Sequence, residues 1–141
     1  MTMKGSGGFT LIEILVVIVI ISSLLAFSFF GAAGFRNALE FDNSAHQVLS
    51  DIKLTQQLAE SSYETCKIEF AAGENTYTIT KGGNLFRTYS ASSKVRFSGK
   101  SYFSFAPSGC ADVGGSGTLS ITGGSKTRNI IVSSKGRIRI E

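Results

Sequence analysis

The chain of 141 residues has no tryptophan, one proline (Pro107), one histidine (His46) and two cysteines (Cys66 and Cys110). Each scarcity closes a class of chemistry. One histidine and two widely separated cysteines do not form the ligand pattern of a zinc site. His46 stands among polar residues with no motif around it, so no Ser-His-Asp set can be assembled. Gly114-Gly115-Ser116-Gly117 is not followed by Lys-Ser/Thr at P-loop spacing, and it reads as a flexible loop. No catalytic residue, metal or cofactor is expected, and the chain is not read as an enzyme. One proline against 16 glycines suits short strands and tight turns more than a helical bundle. No solenoid-type repeat is visible.

Charge is missing from one stretch altogether. From Ile14 to Phe35 there is neither a charged residue nor a proline, over 22 positions. At 1.5 Å per residue that is about 33 Å of helix, enough to cross the hydrocarbon core of a bilayer. Lys4 precedes the run, Arg36 closes it, and Glu13 is the single charge near its start. A cleaved secretory signal would want a small-residue site after the apolar core, which Ala26, Gly31 and Ala32 would supply, but the run is long and holds a carboxylate. A plain membrane anchor would gain by losing Glu13, since a charge costs a few kcal/mol at the bilayer centre and less near the interface. A buried core helix fits a run of this length least well.

The remaining charge is unevenly spread. Residues 1–74 carry four basic and eight acidic residues, net −4, and residues 75–141 carry ten basic and two acidic, net +8. A basic half favours polyanions such as nucleic acid, or acidic partner surfaces, and it is equally compatible with a solvated surface of strands and loops.

After Arg36, small or apolar residues recur at Ala38, Ala45, Ile52 and Ala59, with Leu39, Val48 and Leu49 beside them. That spacing predicts an amphipathic helix with Glu40, Asp42, Asp51, Lys53 and Glu60 on its polar faces, continuing the apolar stretch to about Ser61. Gly31 and Gly34 are its expected points of flexibility. Beyond Ser62 the period falls to two. Alternating runs at 66–70, 76–80, 85–89, 95–97, 102–105, 118–122, 128–132 and 137–140, separated by glycine-rich turns, predict antiparallel sheets that cover the apolar face of the helix. The fold class is α+β. The expected segments are 1–8, a leader; 9–35, the apolar half of the helix; 36–62, its amphipathic half; and 63–141, one β domain.

Gly8-Phe9-Thr10-Leu11-Ile12-Glu13 and the apolar run behind it resemble the processing signal of type IV pilins and type II secretion pseudopilins. The resemblance implies that a prepilin peptidase cuts between Gly8 and Phe9 and that the new Phe9 amine is N-methylated. It implies a single-pass protein of the bacterial inner membrane with its C-terminal domain in the periplasm, which joins other pilin subunits in a filament. It also implies that Glu13 pairs with the Phe9 amine of a neighbouring subunit, which would satisfy two charges that are costly in an apolar core.

A helix followed wholly by strands, with VLSDIKLTQQLAESSYETCKIEF at 48–70 and the closing Gly136-Arg137-Ile138-Arg139, resembles the GspH/FimT branch of that superfamily. That branch implies one of two roles. The first is a structural minor pseudopilin, GspH-like, of a type II secretion system. The second is a FimT-like minor type IV pilin that binds DNA. In an alternating strand Arg137 and Arg139 share a face about 7 Å apart, which allows them to bridge a phosphate backbone. Lys135, Arg128 and Lys126 would extend the patch. A solvated strand face with its isoleucines in the core is the alternative. A third reading is an anchored periplasmic protein unrelated to filaments. In the periplasm Cys66 and Cys110 are expected to form one disulfide, tying the first strand to the loop after Pro107, with two unpaired thiols as the alternative.

Overall fold

The computed structural model describes residues 9–141, with the side chains of residues 27–35 and 37 outside the description. The expected leader, with Lys4 and Gly8, lies outside the described residues. The chain divides into two compact units, residues up to Ala38 and Leu39–Glu141.

The helix, α1, is Leu11–Ser62. Thr10 caps it. Its hydroxyl and its carbonyl both accept from the amide of Glu13, at 3.3 and 3.1 Å, so one otherwise unpaired donor of the first turn is satisfied. Glu13 itself sits in that turn, where the helix dipole favours a negative charge. At the far end Tyr63 adopts a positive φ of 57°, a conformation that stops helical propagation.

In the second unit α1 buries Phe41, Ala45, Val48, Ile52, Thr55 and Ala59. These recur every three or four residues, so they form one stripe. Phe41 is a member that the seven-residue spacing did not include. Eight strands follow: β1 (Cys66–Phe70), β2 (Thr76–Lys81), β3 (Asn84–Ser90), β4 (Val95–Gly99), β5 (Tyr102–Phe105), β6 (Gly117–Gly123), β7 (Lys126–Val132) and β8 (Ile138–Ile140). All ladders are antiparallel. They make two four-stranded sheets, ordered β3-β2-β1-β5 and β4-β6-β7-β8. The two are linked where the turn after β1 reaches β4, with the Gly73 amide donating to Phe97 and the Phe97 amide to Glu74.

The helix stripe and both sheets share one core. Ile68, Ile79, Phe103, Phe105, Leu119, Ile121 and Ile130 are fully buried in it, and Phe70, Tyr77 and Phe97 pack with centroids 5.2–5.8 Å apart. Each such side chain contributes on the order of 1.5–3 kcal/mol by leaving water. Truncating one at the centre, Ile52→Ala, would cost about 2–5 kcal/mol.

Polar ties then fix the helix to the sheets. The Tyr77 hydroxyl donates to Asp51 on α1, and burial together with that carboxylate pushes the phenol's pKa up. Gln56 donates to the carbonyls of Gly109 and Gly136. Glu40 accepts from Ser92 and Lys94, and both hold its carboxyl below the usual range. Asp42 faces Arg128 at 3.5 Å and Lys126 at 3.9 Å. At Gly123 the ring of Phe41 lies 2.3 Å from where a Cβ would stand, so the residue opposite the helix must be glycine.

Candidate functional site

The first candidate is the surface of α1 in the first unit. Phe9 is exposed, and the apolar side chains from Leu11 to Leu25 are all exposed, on every face of the helix. The two hydroxyls in this stretch are turned inward: Ser22 donates to the carbonyl of Ile18 and Ser23 to that of Ile20, each at 2.7 Å. Glu13 is thus the one ionisable group on an otherwise apolar cylinder. A contiguous apolar surface of this kind is unfavourable in water and requires lipid or other apolar helices around it. Among the described residues no helix is long and apolar enough to cross a membrane. Before the side chains outside the description, the apolar run on α1 extends from Leu11 to Ala26, about 24 Å of helix. The rest of the stretch expected to span a bilayer, residues 27–35, has its side chains outside the description.

The second candidate is the basic C-terminal strands, and here the ladder register divides what the sequence grouped. Arg128 pairs with Ile121 across β6, and Ile130 pairs with Leu119, so Arg128 shares the buried face of the sheet. It reaches Asp42 there together with Lys126. Arg139 pairs with Ile131, on the opposite face, and lies 3.7 Å from Glu141. Arg128 and Arg139 therefore do not form one patch, and two of the expected phosphate contacts already face carboxylates. Lys135 and Arg137 are exposed at the Ser133–Arg137 turn. That turn is closed by hydrogen bonds from Ser133 to Arg137 and from Gly136 to Ser133. Gly136 adopts φ +78°, and a Cβ on it would come within 2.1 Å of the Gly109 carbonyl. The glycine of the Gly-Arg-x-Arg motif is thus required by close backbone approach, and it aims Arg137 outward.

The expected Cys66–Cys110 disulfide is not formed. Both thiols are free. Cys66 points into the core from β1, where burial pushes the thiol's pKa up, whereas Cys110 is exposed on the loop beyond β5. His46 is exposed on α1, and among the described residues no group of His, Cys, Asp and Glu is placed to hold a metal ion.

The residues that sequence reasoning missed are the helix-to-sheet ties. Helical periodicity alone sets Glu40, Asp42 and Asp51 on solvated faces and gives Gln56 no role. Their signal was positional: each stands within one or two residues of the buried stripe, at its polar margin.

Three comparisons bear on this geometry. Residues 3–29 match the family model described as the prokaryotic N-terminal methylation motif. No curated protein matches the chain. Among solved structures, the type IV minor pilin FimU of Pseudomonas aeruginosa superposes with a TM-score of 0.63 at 16% identity, over 76% of this chain and 92% of that one. The same protein in a second crystal form gives 0.59, also at 16% identity, over 71% and 91%. Long helix, antiparallel sheets and N-terminal motif agree: the chain has a type IV pilin-like fold behind a prokaryotic N-terminal methylation motif.

Proposed function

We propose that this protein is a minor structural subunit of a type IV pilus-like filament, held in the bacterial inner membrane by residues 14–35 until it is assembled. In this reading it is a GspH-like pseudopilin of a type II secretion system, with its β domain in the periplasm. The observation that carries the proposal is the exposed apolar cylinder of Leu11–Leu25 with the single carboxylate of Glu13 at its start. A helix of this kind needs apolar surroundings along its length and a cation for Glu13. A neighbouring subunit presenting a methylated Phe9 amine would supply both, once a prepilin peptidase has cut between Gly8 and Phe9.

The test is co-expression with a prepilin peptidase and the filament system. Intact mass should fall by residues 1–8 and rise by one methyl group. Glu13→Gln should leave the processed protein in the membrane but out of sheared filaments. Full-length protein, or undiminished incorporation of the Glu13 variant, overturns the reading.

The exposure of Lys135 and Arg137 favours one second reading, DNA capture by a FimT-like minor pilin. Processed full chain in detergent would then bind duplex DNA with an affinity that falls steeply with salt, and Arg137→Ala/Arg139→Ala would abolish binding. Binding that survives the double substitution, or no binding at low salt, returns the assignment to the pseudopilin.

A further inference from the structure

The two sheets have four edges, of which two are capped by other segments and a third is short. At β4 the turn after β1 caps the edge through the Gly73 and Glu74 hydrogen bonds to Phe97. At β5 the loop after Pro107 does so, through a bridge between Phe105 and Ala111 and a bond from the Asp112 amide to the Ser104 carbonyl. β8 is only three residues long, has Arg139 at its centre and is flanked by Arg137 and Glu141, and short charged edges resist pairing. β3 is neither capped by a loop nor short. It is seven residues long and contains no proline, and six of its seven residues are exposed. Among the described residues no backbone hydrogen bond joins it to any segment other than its neighbour β2. The register shifts between Ile79 and Thr80, so Phe86 has no opposite residue in β2. Phe86 and Leu85 are 46% and 67% exposed, at the bulge where the regular alternation of the strand is interrupted.

We propose that β3 is a docking edge for an extended segment of another protein, one that carries an acidic side chain between apolar ones. The edge supplies unpaired backbone groups, and the exposed Leu85 and Phe86 supply apolar contact for side chains of the incoming strand. Charge selects the occupant. The strand and its preceding turn carry Lys81 and Arg87 and no acid of their own, and the Glu64 carboxylate lies at the turn against Gly82, away from Arg87 in the sequence of the strand. Arg87 donates one bond to the Tyr89 hydroxyl at 2.9 Å and remains exposed, with further donors for a carboxylate. A second copy of this chain is a poor occupant. Antiparallel pairing centred on the middle of Asn84–Ser90 would place Arg87 opposite Arg87, and directly opposed like charges destabilise a ladder. The proposal stands apart from the filament reading, since it uses no residue of the N-terminal helix.

The test uses the full chain in detergent micelles and two synthetic peptides of alternating valine and threonine, identical except for a central glutamate or lysine. Hydrogen exchange is followed at residues 84–90, with 138–140 as the control edge. The glutamate peptide should slow exchange at 84–90 by about tenfold or more and leave 138–140 unchanged. The lysine peptide should have no effect. Arg87→Glu should reverse the preference and Arg87→Gln should weaken the slowing by the glutamate peptide, with exchange in β1 and β6 confirming that each variant is folded. No slowing by either peptide overturns the proposal. Equal slowing by both overturns the acidic partner. Slowing that rises with protein concentration in the absence of peptide assigns the edge to a second copy and overturns it as well.

Discussion

The side-chain amide of Gln56 donates to the carbonyl of Gly136 at 3.0 Å and to that of Gly109 at 2.6 Å. One helix residue thereby ties the loop that follows β5 in one sheet to the turn that precedes β8 in the other. The same contact positions the closing Gly-Arg-x-Arg segment, whose glycine packs on the Gly109 backbone.

Two substitutions separate the bond from the close approach. Gln56→Ala leaves two carbonyls without this donor and should cost about 1–3 kcal/mol. Gly136→Ala should cost more, because it forces a side chain into a positive-φ position and into backbone 2.1 Å away. Urea unfolding of both variants gives the order, and a milder effect for Gly136→Ala would refute the close approach.

Tyr77→Phe should destabilise the fold by about 1–3 kcal/mol while leaving the core volume intact. The phenol is buried and its hydroxyl serves Asp51 on α1, so the change leaves a half-buried carboxylate short of a donor. The stacked partner Tyr89, 5.4 Å away, should hold its place. A shift of the urea midpoint with an unchanged slope is the expected signature.

Glu40 gives a pH dependence of known sign. Ser92 and Lys94 lower its pKa in the folded state below the ordinary 4.5. Its contribution is therefore fully present above about pH 4.5 and is lost as pH falls through the lowered value. Melting temperatures of the parent and of Glu40→Gln should differ at pH 6 and converge in the acid range below 4.5. A gap that persists unchanged into strong acid would mean that the carboxylate's charge is irrelevant.

Under native conditions a small alkylating reagent should modify Cys110 and spare Cys66, since only the thiolate of an accessible cysteine reacts. Intact mass should show one adduct before unfolding and two after. An unreactive chain that gains two adducts only after reduction would instead demonstrate the disulfide.

Much of the architecture was legible in the chain. The change from period 3.6 to period 2 at Ser62 marks the end of α1, and the eight alternating runs correspond to β1–β8 within a few residues. Local periodicity carries this information because it reports which side chains share a face, whatever they later pack against. Phe41 lies four residues before Ala45 on the same stripe, and only the structure shows that its ring fills the space over Gly123, eighty-two positions further along the chain.

The sequence by itself determined the apolar helix, the isolation of Glu13 within it, the N-terminal motif and the alternation of the strands. All of these are local, set by spacing and by the cost of placing charge in an apolar run. Only the tertiary structure decided which strands neighbour one another, and with that the fate of the basic residues. A ladder register that sets Arg128 beside Ile121 and Arg139 beside Ile131 puts them on opposite faces of one sheet. It also sends Cys66 inward while Cys110 stays in solvent, and leaves β3 as the open edge. Register is a long-range property. It is fixed by which apolar faces meet in the core, and no short stretch of sequence contains it.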